Sequence, residues 1–226
     1  VPILERFAAG GVRRVVCTPH LDASQADVAP IEAHRVRLAE LQAAVPMVEL
    51  LPGWEIMLDR PGATLDRPGL TLGASRAVLV EFSRGGVPRG AVSELRRLVH
   101  GGLVPILAHP ERYYGCTIAL IEELRATGVV IQTDVTMLRG RGEPSRVARD
   151  LLARGLVDVL ASDNHGDARS LVDGVTWLRA HGAGDEQVQL LTAGNAERIL
   201  ANRDPVPVPP LATGPLLERL ARRLAR

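Results

Sequence analysis

The chain contains no lysine: all 27 of its basic residues are arginines. That excludes a Schiff-base lysine and a phosphate-loop lysine from its chemistry. Cysteine is nearly absent too, with Cys17 and Cys116 alone among 226 residues. Two thiols make no disulfide framework, and with no secretion signal opening the chain a reducing cytoplasm is the expected compartment. Cys17 falls inside an apolar run and reads as a small buried residue; Cys116 reads as an inert loop thiol. No apolar stretch approaches the ~18 residues of a membrane helix, so no membrane insertion is expected. The net charge of +1 gives no reason to expect nucleic acid as a partner. Familiar catalytic signatures are missing as well. Six residues past Cys17 stands Ala23, and six past Cys116 stands Glu122, so there is no Cys-x5-Arg phosphate loop. Neither a Gly-x-Ser-x-Gly elbow nor a Rossmann Gly-x-Gly-x-x-Gly is present.

What the chain does have is a recurring phrase: helix, glycine, short apolar run, then a polar residue where the run stops. Gly11 leads through Val15-Val16-Cys17 to His20, Gly102 through Ile106-Leu107-Ala108 to His109, Gly128 through Val130-Ile131 to Thr133-Asp134, and Gly155 through Val159-Leu160-Ala161 to Asp163 and His165. Val48–Leu51 leads similarly to Glu55, and Val78–Val80 to Glu81. A glycine is the usual left-handed helix stop, and the run behind it reads as a buried parallel strand. Helical spacing marks Ile3–Ala9, Ile31–Ala44, Val87–His100, Ile118–Thr127, Arg146–Arg154, Leu171–Ala180 and Gln187–Ala201. Alternation of this kind predicts a parallel α/β sheet, open or closed, whose chemistry gathers at the carboxyl ends of the strands. The Pro- and Gly-bearing stretch Asp59–Leu72 is expected to be an irregular excursion.

His20, Glu55, Glu81, His109, Asp163 and His165 therefore all fall at or just past strand ends. Any one alone could be a hydrogen-bonded structural residue or a helix cap. Together they point to a metal site, because charged groups seldom lie beside a core unless paired or metal-bound. Mixed carboxylate and imidazole donors suit Zn²⁺, Mn²⁺ or Fe²⁺. His34, His100 and His181 are assigned to surface or capping roles. Arg112 follows His109 by three residues and Arg169 follows His165 by four. Both should reach the same rim, where a guanidinium can hold phosphate oxygens bidentately or pair with a neighbouring acid, Glu111 or Asp167.

The segments Val16–His20, Leu51–Glu55, Val78–Phe82, Ile106–Arg112 and Ala161–His165, with Asn195–Leu200 after them, resemble in order the motifs of the bacterial CpsB/CapC protein-tyrosine phosphatases. These belong to the PHP (polymerase and histidinol phosphatase) superfamily. The resemblance implies a distorted (β/α)7 TIM-like barrel with a trinuclear centre. Glu55 would bridge two ions, Glu81 and His109 would complete one, Asp163 would serve another, and His20 and His165 would hold a third. Arg112 and Asp163 would act in catalysis, and Arg112 and Arg169 would bind the substrate phosphate. Two to three divalent ions are implied, manganese foremost, with iron, zinc or magnesium as alternatives. The implied partner is the phosphotyrosine tail of a bacterial tyrosine autokinase that controls capsule and exopolysaccharide assembly.

The family's opening Asp-x-His-x-His and the acidic segment after it have no counterpart here, so the first strand is expected to be missing from the chain. Thr133–Gly140 also departs from the family's small-residue stretch. The domain is expected over residues 1–202, N-terminally incomplete. A Pro-rich linker and a short basic amphipathic helix, Leu216–Leu224, are expected over 203–226. Two other readings stay open: another PHP phosphoesterase acting on histidinol phosphate or a small ester, and a non-catalytic PHP scaffold.

Overall fold

The computed structural model describes residues 1–83 and 85–211. Helix α1 (Pro2–Ala9) opens the chain, with proline in the first turn, where its missing N–H costs nothing. Strand β1 (Arg14–Cys17) follows and is broken at Thr18-Pro19 from its continuation β2 (His20–Asp22). After a 3₁₀ turn and helix α2 (Ile31–Ala44), β3 (Glu49–Pro52) is likewise broken at Gly53-Trp54 from β4 (Glu55–Met57). Then come β5 (Ala77–Glu81), α3 (Ala91–His100), β6 (Val104–Ala108), α4 (Ile118–Ala126) and β7 (Val130–Asp134). The chain goes on through α5 (Val135–Arg139), α6 (Glu143–Ala153), β8 (Val159–Ala161) and α7 (Leu171–Ala180). Helix α8 (Asp185–Gln189), a widened π turn (Leu190–Gly194) and α9 (Asn195–Leu200) complete the regular structure of the described residues.

Every strand pairing among the described residues is parallel. Strands run in the order β2-β4-β5-β6-β7-β8, and β1 pairs with β3 beneath the β2-β4 end of that sheet. The sheet stays open: among the described residues no ladder joins β8 to β1. A cavity of ~630 Å³ lies in this seam, lined by Val16 and Cys17 from one edge, Val159 to Ala161 from the other, and Phe7 of α1. The expected α/β fold is therefore present as a curved sheet that does not close.

Two faces of the sheet are separated by simple alternation. Val78, Val80, Leu107, Ile131 and Leu160 point outward into the main core with Leu95 and Leu98 of α3, Leu124 of α4, Leu151 of α6 and Leu178 of α7. Leu79, Ile106, Ala108, Val130 and Val159 point inward, where Ile199 of α9 packs against them. Each fully buried leucine contributes roughly 1.5–3 kcal/mol of hydrophobic stabilisation. The inward parity runs on to polar residues: Leu79 to Glu81, Val130 to Gln132 and Asp134, Val159 to Ala161 and Asp163. The sequence pattern thus floors the inner face with hydrocarbon and places carboxylates one step higher.

The 59–72 excursion is irregular, as expected, but it also enters the core through Ala63, Leu65 and Leu70. Trp54 ties it down, its indole Nε1–H donating to the Gly69 carbonyl at 2.9 Å. Residues 203–211 form no helix or strand, yet they are packed against the domain instead of hanging free. Val208 and Leu211 are buried, and the fully buried Asn195 exchanges hydrogen bonds with both backbone groups of Val206. Gly155 sits at φ +69, and a Cβ there would lie 2.7 Å from the Val208 carbonyl. The expected tail helix lies outside the described residues. No helix among the described residues is long and apolar enough to cross a membrane.

Candidate metal centre

The six polar residues expected at the strand ends converge on the inner face. His20, Glu55 and Glu81 offer donor atoms within 4.8 Å of one another, as do Glu55, His109 and Asp163, so Glu55 is common to both groups. The register explains the meeting: β2 and β4 place His20 beside Glu55, and β4 and β5 place Met57 beside Glu81. His109 Nε2 lies 2.8 Å from Glu55 Oε1 and 3.6 Å from Glu81 Oε2. His20 Nδ1 lies 3.2 Å from Glu81 Oε1, and its Nε2 lies 3.3 Å from His165 Nε2. His20 and Glu55 lie just past β1 and β3, as the sequence pattern suggested, and each also begins a further short strand, β2 and β4, beyond the breaks at Thr18-Pro19 and Gly53-Trp54.

Glu55, Glu81 and His109 are buried, whereas the His20 and His165 side chains are about half exposed. Burial, and then the negative charge of Glu55, pushes the Glu81 carboxyl above its ordinary range. Burial alone would lower His109, but the hydrogen bond and charge of Glu55 outweigh it and raise that imidazole. His109 Nδ1 is buried without a partner among the described residues. Crowded carboxylates, mixed with imidazoles that have nitrogens to spare, are the donor set a divalent transition ion neutralises. These residues fit such ions.

Backbone geometry at the site is strained. His109 has φ 34 and Asp163 φ 44, the left-handed region that non-glycine residues seldom occupy. Each costs on the order of 1–3 kcal/mol, and such strain concentrates at functional sites. Tyr113 braces the first of them: its hydroxyl donates to the Ala108 carbonyl at 2.6 Å and accepts from the Phe82 N–H at 3.2 Å. Burial raises the Tyr113 phenol well above its ordinary value, so it stays protonated as this strut requires.

Both arginines face the cluster. Arg112 does not pair with its neighbour Glu111; a single terminal nitrogen donates to Asp134 and, at 2.7 Å, to Asp163 Oδ2. Arg169 donates to the same Asp163 Oδ2 at 2.9 Å, to Asp167 at 2.8 Å and to His165 Nδ1 at 2.9 Å. The expected Asp167 pairing is therefore present, together with a contact to the centre. Glu111 is buried beneath, its Oε1 accepting the Asp134 N–H at 2.9 Å, and burial pushes its carboxyl up to about 7. Sequence reasoning gave Tyr113 no role, took Glu111 only as an alternative partner for Arg112, and left Asp134 as a polar strand stop outside the site. The inward parity from Val130 to Asp134 was the available signal for the last of these. His34 packs on Trp54, and His181 closes α7 by stacking on Trp177; both are structural. His100 ends α3 on the surface.

Residues 1–201 match the family described as Capsular polysaccharide synthesis, CpsB/CapC. No curated relative matches the chain. Among solved structures, the chain is similar to one from the crystal structures of YwqE from Bacillus subtilis and CpsB from Streptococcus pneumoniae, unique metal-dependent tyrosine phosphatases. The TM-score is 0.77 at 24% identity, over 93% of this chain and 89% of that chain, which establishes a shared fold.

Proposed function

We propose, because this chain belongs to the CpsB/CapC family of capsular polysaccharide synthesis, that it is a metal-dependent phosphotyrosine phosphatase acting in that process. The observation that carries this reading is the convergence of three carboxylates and three imidazoles beside two arginines on one inner face. His20, Glu55, Glu81, His109, Asp163 and His165 would hold the ions, two to three in number with manganese foremost. When bound, such ions lower the pKa of a coordinated water and neutralise charge on a phosphoryl oxygen.

The chain's own residues then supply the rest. Burial works against the Arg112 charge, but Asp134 and Asp163 together outweigh it, and Asp167 chiefly raises Arg169, so both guanidiniums stay charged at any working pH. Their planar donors suit phosphate oxygens, and a contact that tightens as charge builds lowers the barrier. Half-exposed His20 and His165 leave the centre reachable from solvent, which favours a phosphotyrosine carried on a protein segment over a wholly enclosed metabolite. The tail of a cytoplasmic tyrosine autokinase is the substrate we assign.

The test is a panel of phosphotyrosine peptide, histidinol phosphate and nucleotides, incubated with manganese and, separately, with chelator. Chelator-sensitive turnover of the peptide in preference to the others is expected. Turnover that survives complete metal removal contradicts the reading. Preference for histidinol phosphate would instead assign another phosphoesterase activity, and no turnover at all the scaffold.

A further inference from the structure

The buried carboxylate of Asp134 has no part in the ligand set, yet it holds one of the two arginines. Asp134 ends β7 and is 1% exposed. Its Oδ1 accepts the Thr136 N–H at 2.7 Å and so caps α5; its Oδ2 accepts from the Thr136 hydroxyl at 2.7 Å and from Arg112. Its own N–H is anchored on Glu111. The carboxylate is thereby fixed from three sides before it meets the guanidinium.

Arg112 and Arg169 share Asp163 Oδ2, and Asp163 also belongs to a candidate ligand group with Glu55 and His109. A cation held there draws on the same negative charge that the two arginines use. Arg169 then retains Asp167 as its counter-ion. Arg112 retains Asp134. Meanwhile both hydrogen bonds of the Arg112 guanidinium among the described residues run through Nη2, so it is anchored through one nitrogen and its Nη1 stays outside them.

We propose that Asp134 is a positioning residue that orients the Arg112 guanidinium toward the substrate phosphate. This rests on the phosphatase reading above. A salt bridge to a rigid, capped carboxylate removes the rotamer freedom that a long arginine would otherwise lose on binding phosphate. The same contact fixes the angle at which its remaining N–H groups meet the phosphate.

The experiment is titration of the manganese-loaded full chain with inorganic phosphate, alongside steady-state hydrolysis of a phosphotyrosine peptide. Asp134→Asn retains the cap, since asparagine caps helices as well as aspartate. It is expected to weaken phosphate binding and kcat/KM by about tenfold, a typical cost of loosening an oriented charged contact. In an Arg112→Ala background the same substitution should have no effect. A purely structural role would give equal losses in both backgrounds, and that result, or no loss in either, overturns the proposal. Should Asp134→Asn fail to fold, Thr136→Ala removes the hydroxyl that steadies Oδ2 while keeping the charge and the backbone cap. It should weaken phosphate binding about two- to threefold, again only when Arg112 is present, and unchanged affinity overturns the proposal. Wild-type protein that binds phosphate but hydrolyses no peptide contradicts the phosphatase reading alone, and the binding arm still decides for or against Asp134. Wild-type protein that binds no phosphate overturns the positioning role itself.

Discussion

At the residue scale, the site is governed by carboxylates forced close together and partly out of water. Glu111 states this most simply, because its carboxyl rises from 4.5 to about 7 chiefly through burial. A raised folded-state pKa means that the native protein binds the proton more tightly than the unfolded chain. The resulting stabilisation is fully present below about pH 4.5 and is lost as pH rises through 7. In chelated protein, wild type minus Glu111→Gln stability should therefore fall by about 2–3 kcal/mol between pH 5 and pH 8. Denaturant midpoints of the two proteins at each pH measure it, and a constant difference would refute the assignment. Cys116 gives a second test. Burial, then the charge of Glu111, pushes its thiol to about 11, so almost no thiolate exists near neutrality. Iodoacetamide at pH 7.5 should leave turnover unchanged, with labelling accelerating only as pH approaches 11. Rapid inactivation would place a cysteine in the chemistry.

At the scale of elements, the strands that carry the site were legible because each is a short apolar run stopped by a polar residue, four of them led by a glycine, and inward parity places the next polar residue beside its neighbours. The two broken strands were not. An apolar run marks where β1 and β3 stop but not that a short strand resumes at His20 and at Glu55, beyond the Thr18-Pro19 and Gly53-Trp54 steps. Nor was the Arg112–Asp134 pair readable, since it joins residues 22 apart, from the turn after β6 to the end of β7, and exists only through the packing of those two elements. Five-residue α5 is too short to show a helical period. The packing of residues 203–211 depends on Asn195, whose amide bonds Val206 and the Asp158 carbonyl. Asn195→Ala leaves the buried Asp158 carbonyl and the part-buried Val206 backbone groups unpaired and should destabilise the protein by about 2–4 kcal/mol. An unchanged thermal midpoint would show that this segment contributes nothing to the fold.

At the scale of the whole molecule, the inner face is an apolar floor beneath a ring of acids and imidazoles, with two arginines at its rim. The design makes sense if divalent cations occupy that ring: they relieve repulsion between Glu55 and Glu81 and draw His109, Asp163, His20 and His165 into one centre. Glu55 belongs to both donor groups, so no other single side chain is as central to the account. The decisive measurement is manganese binding by chelated protein, wild type against Glu55→Gln, followed by calorimetry and elemental analysis. Wild type should bind manganese stoichiometrically, and the variant should lose about 100-fold or more in affinity while its thermal midpoint in chelator stays near that of wild type. Equal binding by the two proteins, or none by wild type, would contradict the claim that this cluster is a metal centre.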